Sequence, residues 1–338
     1  MASTIELAPE DSLRLHVLLA GEVLAVRIDE GKRLLEALTG KGEARIPLHP
    51  TGRPDTYFMR VREVLGGHAL GSPGGYPVHL RRWTRMGQSS SKNLAALLKL
   101  GEPEAVAAVA HASGLTDELA QRAWWASPTP EIARCMLAHP AVRAGAVGPV
   151  LANFLVEHLP FEEAPVAAMN TVRSVLAAGL LDEATRLGLW QKARRKPVFF
   201  LGFLESLAEE LPPEAPLPLP EGLPDNAWSR ALARSFSGAG QAYLRAAELA
   251  LEKPPAHETV YLLLNLLGRY FSSVRGEPGR ETLPERHAEA LAVLSQLRAE
   301  DAEPLLTRTT AIGPLMRHKL EPLLDPLVIH VRTLRAAP

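Results

Sequence analysis

Apolar residues recur at two different periods along this chain, and the change of period divides it. In "RLLEALTGKGEARIPLHP" (33–50) two alternating runs flank Thr39-Gly-Lys-Gly42, a composition that predicts a hairpin turn. On either side the spacing is helical. Pro9 and the sequence of Leu15, Leu18, Leu19 and Glu22 predict a first helix within 9–27, with no clear end signal. "PDTYFMRVREVLGG" (54–67) predicts a second, with Pro54 at its start and a glycine pair at its exit. Residues 1–88 therefore read as a small α+β module.

Beyond Gln88 strand signals vanish and short amphipathic helices follow one another. "EPEAVAAVAHAS", "TDELAQRAWWAS", "TPEIARCMLAHP", "PAVRAGAVGPVLANFLVEHLP" and "LDEATRLGLWQKARRKP" each carry Pro, Thr or Asp near the start and an apolar stripe. Helices this short bury their stripes only by stacking on neighbours, so residues 89–210 predict an irregular HEAT-like α-helical repeat array. No strict period is present, which leaves a compact irregular bundle as the alternative. "LPPEAPLPLPEGLPDN" (211–226) holds six prolines and predicts an extended linker. Helices resume at Asp225, read as an N-cap, and fill a C-terminal part over 227–338. A last helix begins at Pro314, where Pro322 and Pro326 predict a kink or break. The fold class expected is mainly α.

With 338 residues and 46% hydrophobic content the chain can bury a sizeable core. Its 37 Lys and Arg against 38 Asp and Glu remove any global pull toward nucleic acid or anionic lipid, so such partners need a local patch. The single cysteine, Cys135, excludes an intrachain disulfide and an all-cysteine metal cage. "MASTIELAPEDS" lacks the basic-then-apolar order of a secretory signal. The apolar stretch "AGAVGPVLANFLV" (144–156) falls short of the ~20 residues that cross a bilayer. A cytoplasmic protein without a membrane span is expected.

Two local basic stretches stand out. From Val64 to Gly101 there is no acid, while Arg81, Arg82, Arg85, Lys92 and Lys99 supply positive charge. In "GSPGGYPVHLRRWTRMGQ" (71–88), Gly74 and Gly75 can admit close backbone approach and the guanidinium groups can grip an anion. The phosphate-loop and dinucleotide fingerprints are both absent. The stretch reads as a structural hinge with a basic face: a turn at Pro73-Gly74-Gly75, a strand with Val78 and Leu80 inward, and Trp83 packed at the junction. An anion- or partner-binding role for Gly74, Gly75, Arg81, Arg82, Trp83 and Arg85 is the competing reading. The second stretch, "RLGLWQKARRKP" (186–197), places Lys192, Arg194, Arg195 and Lys196 at the end of a helix that opens with Asp182 and Glu183. A helix dipole favours that order without any ligand, and a partner-binding face is again the alternative. The acids Glu205, Glu209, Glu210, Glu214, Glu221 and Asp225 then reverse the sign, a polarity suited to orienting a partner.

Convergent chemistry is missing. Cys135 shares helical spacing with Ile132, Met136 and His139, which predicts a structural thiol; Arg134 and His139 are the neighbours that a reactive role would need. None of the eleven histidines shows paired metal-ligand spacing. "FSGAGQAYL" (236–244) follows a helix and reads as a helix break instead of a glycine fingerprint, and no GxSxG elbow occurs. The adjacent aromatic pairs Trp124-Trp125, Phe199-Phe200 and Tyr270-Phe271 read as core. No catalytic residue, metal site or cofactor is expected, and a small-molecule ligand is not favoured.

The strings "GSPGGYPVHLRRWTRMGQ", "GEPEAVAAVAHASGLTDELAQRAWWA", "ARCMLAHPAVR" and "LANFLVEHLPFE" resemble the DsrS family, accessory proteins of the reverse dissimilatory sulfite reductase system of sulfur-oxidising bacteria. The resemblance runs through roughly residues 10–210 and carries no catalytic signature or transferable site residue. It implies a cytoplasmic, cofactor-free supporting role in the oxidation of stored sulfur, with a protein partner from that system. The combined expectation is a noncatalytic accessory or regulatory protein that binds a macromolecule. Two alternatives stand beside it: a nucleic-acid-binding regulator using the basic faces, and a sulfur-transfer protein acting through Cys135.

Overall fold

The computed structural model describes residues 6–71, 91–307 and 310–336, and in these the chain is mostly helical. It divides into two compact units, Met1–Leu155 and Val156–Pro338. The first holds α1 (Pro9–Leu19), β1 (Val23–Asp29), β2 (Leu34–Thr39), β3 (Gly42–Pro47), α2 (Pro54–Leu70), α3 (Ser91–Leu97), α4 (Pro103–His111), α5 (Asp117–Ala126), α6 (Pro130–Leu137), α7 (Pro140–Arg143) and all but the last three residues of α8 (Val147–His158). The hinge, turn and strand expected over 71–88 fall at residues 72–90, outside the described residues.

The three strands form an antiparallel meander in chain order. Val23 pairs with Thr39 and Asp29 with Leu34 across β1 and β2; Leu34 pairs with Pro47 and Thr39 with Gly42 across β2 and β3. The hairpin lies where the alternating runs placed it, with Gly42 at φ 117° closing a turn that a side chain would strain. The helix expected within 9–27 is α1, which ends at Leu19 ahead of the strand β1. The signal of β1 is scrambled by a register irregularity between Val23 and Ala25, which buries Ala25 and Val26 in succession and breaks the period of two. Leu15 and Leu19 of α1, Val26, Leu35 and Ile46 of the sheet, and Tyr57, Phe58, Val61 and Leu65 of α2 share one core.

The helices that follow are punctuated as the sequence requires. Proline opens α4, α6 and α7, where its missing N–H leaves no intrahelical bond unmade. Thr116 and Thr129 cap α5 and α6 by accepting from the N–H groups of Leu119 and Ile132. Residues 140–158, expected as one helix, form two, because Asp117 reaches across to accept from Ala146 and Val147 N–H at 3.1 Å each and fixes the start of α8.

The second unit contains α9 (Pro165–Ala178), α10 (Glu183–Ala193), α11 (Phe200–Ser206), α12 (Ala227–Phe236), α13 (Gly238–Glu252), α14 (His257–Tyr270), α15 (Glu285–Gln296), α16 (Glu303–Leu306) and α17 (Gly313–Thr333). The proline-rich residues 211–226 carry neither helix nor strand. They are fastened to the α12–α13 corner, where Glu214 N–H donates to Gly238 and Leu217 N–H to Phe236 at 3.0 and 2.9 Å. Asn226, one residue beyond the expected Asp225, is the N-cap of α12 and accepts from Ser229 N–H. Of the kink or break expected at Pro322 and Pro326, the break does not occur. Both prolines lie on the exposed side of one continuous α17, where water can satisfy the freed carbonyls. Met316, Leu320, Leu324, Leu327 and Val331 on the other side are buried and hold the helix together.

Candidate functional site

Of the residues singled out as anion- or partner-binding, Gly74, Gly75, Arg81, Arg82, Trp83 and Arg85 lie outside the described residues. Arg194, Arg195 and Lys196 are described and exposed. Local chemistry explains their placement. Asp182 caps α10 by accepting from Thr185 N–H at 2.7 Å, and that hydrogen bond holds its carboxyl below the usual range. At the other end Lys192 occupies the last turn, Arg194 is the C-cap, and Pro197 opens a 3-10 turn (Pro197–Phe199) that cannot continue the helix.

The rotation of α10 is fixed by Trp190, which meets Phe200 and Phe203 edge-on with ring centroids 4.8 and 5.1 Å apart. With Trp190 turned inward, the basic run parts into two clefts instead of one face. Lys192, Arg195 and Lys196 rim a cleft of about 230 Å³ walled by Leu159, Pro160 and Phe199. Arg194 enters a different cleft, about 390 Å³, beside Trp190, Phe200, Glu214, Arg245 and Arg335.

The two clefts differ in charge. In the larger one, Arg335 pairs with Glu214 at 3.8 Å and with Glu248, which also binds Arg332 at 2.7 Å and Arg245 at 3.8 Å. Burial pushes the Glu248 carboxyl up, but Arg332 and Arg335 outweigh it and hold the group below its ordinary value. The smaller cleft has no such balance. Among the described residues no carboxylate forms an ion pair with Lys192, Arg195 or Lys196, and the one contact of these cations is Lys196 Nζ lying 5.8 Å from the Phe199 ring centroid.

Most acids of the stretch after α10 are paired within the second unit. Glu205 binds Arg173 in a two-pronged pair at 2.5 and 2.8 Å. Glu209 pairs with Arg234, Glu210 with Arg186, Glu214 with Arg335 and Asp225 with Arg230. Arg230 lies five residues from Asp225, but the other four arginines come from 24 or more residues away, so those pairs leave no local trace.

Cys135 is half-buried on α6, in keeping with its place beside the apolar stripe. The imidazole it meets is not the one that spacing nominated. His139 donates from Nε2 to the Ala110 carbonyl at 2.9 Å, while Cys135 Sγ lies 3.1 Å from Nε2 of His111, at the end of α4. Burial pushes the thiol pKa up; Arg134 opposes and Glu131 adds to that rise.

A second polar cluster has no sequence signature at all. Asp11 of α1 is 0% exposed and accepts from the Tyr57 hydroxyl, from His49 N–H at 2.6 Å and from His49 Nδ1 at 2.8 Å. Among the described residues no group of three or more His, Cys, Asp or Glu could hold a metal. No described helix is long and apolar enough to cross a membrane. Comparison of the chain with family models, curated proteins and solved structures returns no match.

Proposed function

We propose that this chain is a noncatalytic binding protein whose second unit presents a basic docking face. One observation carries the reading: Lys192, Arg195 and Lys196 surround an apolar cleft and have no carboxylate partner among the described residues. Of the acids that follow α10 in the chain, Glu205, Glu209, Glu210, Glu214 and Asp225 are tied to arginines. Cations that hold no ion pair beside apolar surface suit recognition of an external partner. The short stacked helices are read as an irregular HEAT-like array, a scaffold that presents long surfaces. The family resemblance supplies the setting: an accessory or regulatory part in cytoplasmic sulfur oxidation, through a protein of that system.

The test is affinity purification of the tagged full chain from sulfur-grown cells, in parallel with the Lys192→Glu/Arg195→Glu/Lys196→Glu variant. A stoichiometric protein partner is expected with the wild-type chain. Recovery of the chain alone, or of a bound prosthetic group, overturns the reading.

One observation favours a second reading, sulfur transfer through Cys135: the His111 imidazole lies within 3.1 Å of the thiol. The raised thiol pKa opposes it. Undiminished sulfur oxidation in cells carrying Cys135→Ser would eliminate it.

A further inference from the structure

We propose that the cleft between the end of α10 and residues 159–160 binds an acidic segment of a partner protein through one large apolar side chain flanked by carboxylates. The proposal rests on the binding reading above and names the partner chemistry for that face. Leu159 and Phe199, 2% and 3% exposed, form the floor, and Pro160 forms one wall. Lys192 in the last turn of α10 and Arg195 and Lys196 in the turn that follows it line the same opening.

A helix dipole accounts for cations at the end of α10 but not for an apolar hollow between them. The hollow asks for a nonpolar group, and the rim asks for anions close to it. Phe161, 74% exposed and next to Pro160, extends the apolar surface outward, as the flank of a protein contact would. Size narrows the occupant further. About 230 Å³ is smaller than the ~300–1,000 Å³ of sites that enclose a whole ligand or cofactor, and it suits a single anchoring side chain.

Nucleic acid fits the cleft less well. Stacking on a base inside the cleft needs an open aromatic face there, and Phe199 is almost fully buried with Lys196 Nζ 5.8 Å from its ring centroid; the exposed Phe161 ring stands outside, at the flank, and the oligonucleotide probe below tests it. The chain's own acidic stretch is also unsuited as occupant, since Glu205, Glu209, Glu210, Glu214 and Asp225 already hold arginines. The acidic segment therefore belongs to another protein.

Fluorescence anisotropy with the full chain tests this, using labelled EEDFLDEE as probe. The comparison probes are the same peptide with Ser in place of Phe and Leu, the counterpart KKKFLKKK, and the oligonucleotide dT12. EEDFLDEE should bind about tenfold or more tightly than either altered peptide. Lys192→Glu/Arg195→Glu/Lys196→Glu should weaken it about tenfold or more, whereas Lys253→Glu, at the exposed C-cap of α13 and in neither cleft, should leave it within about twofold. The single substitution Arg195→Glu, at an exposed position, keeps the comparison decisive if the triple variant misfolds. Unchanged affinity in these variants overturns the site, as does equal binding of the Ser-substituted peptide. Tighter binding of dT12 that is lost in the triple variant replaces the peptide with nucleic acid. A cellular partner retained by the triple variant removes this site while keeping the binding function.

Discussion

The buried carboxylate of Asp11 holds His49 at two points, accepting from its backbone N–H at 2.6 Å and from its ring Nδ1 at 2.8 Å. The same group accepts from the Tyr57 hydroxyl, so α1, the segment after β3 and α2 meet at one side chain. Burial pushes the Asp11 carboxyl up, but the bonds from Tyr57 and His49 prevail and its value in the fold is lowered. Burial and the Asp11 carboxylate together push the Tyr57 hydroxyl up, keeping it a donor.

Because the folded value lies below the ordinary carboxyl value of about 3.9, Asp11 stabilises the fold fully above that pH. The contribution disappears as pH falls through the folded value. Thermal melts of the wild-type chain from pH 7 to 2 should show this acid loss, and Asp11→Asn should flatten it. Asp11→Ala leaves the Tyr57 and His49 donors without an acceptor and should cost about 3 kcal/mol at neutral pH. A wild-type melting temperature in Asp11→Ala would contradict the role assigned to the cluster.

Gly240 is the third residue of α13, in its first turn, and a Cβ there would overlap the carbonyl oxygen of Arg234 in α12. The glycine-rich "FSGAGQAYL" is thus a close-packed corner, capped by Ser237, which accepts from Gly240 N–H at 3.0 Å. Gly240→Ala should destabilise the chain by about 2 kcal/mol, measured by urea unfolding, because backbone instead of a flexible side chain must yield. A phosphate-binding loop would predict lost nucleotide affinity with unchanged stability.

For Cys135 the expectation is slow chemistry. Its half-buried, raised-pKa thiol should react with iodoacetamide at pH 7.5 several-fold more slowly than the same thiol in urea. The gap should narrow as pH rises and thiolate accumulates in both states. Equal rates folded and unfolded would show that neither burial nor His111 restrains it.

Pro322 and Pro326 interrupt hydrogen bonding on the exposed side of α17 without serving its buried stripe. Replacing both with Ala should therefore raise stability, by about 1–3 kcal/mol in thermal or urea denaturation. A fall would mean that the prolines fix the helix path against its neighbours.

What the sequence disclosed follows the range of the interactions involved. The β2–β3 hairpin, the Asp182 cap and the cations at the end of α10 depend on neighbours within a few residues, and their patterns were readable. The strand β1 was hidden by its irregular register, and the continuity of α17 by burial that outweighs two prolines. The division of the basic run could not be read, because it depends on Trp190 packing against Phe200 and Phe203 and on Leu159 arriving from upstream. The contact of Cys135 with His111, 24 residues apart, is likewise a product of helix packing.

The internal neutralisation of residues 205–225 makes the formal charge of −1 a poor guide to how the molecule meets an ion-exchange resin. A resin bead samples the patch that touches it, and the Lys192–Lys196 turn offers concentrated positive charge. Near neutral pH the chain should adhere to a sulfonate column at low ionic strength, in an elution order that its isoelectric point alone would not place.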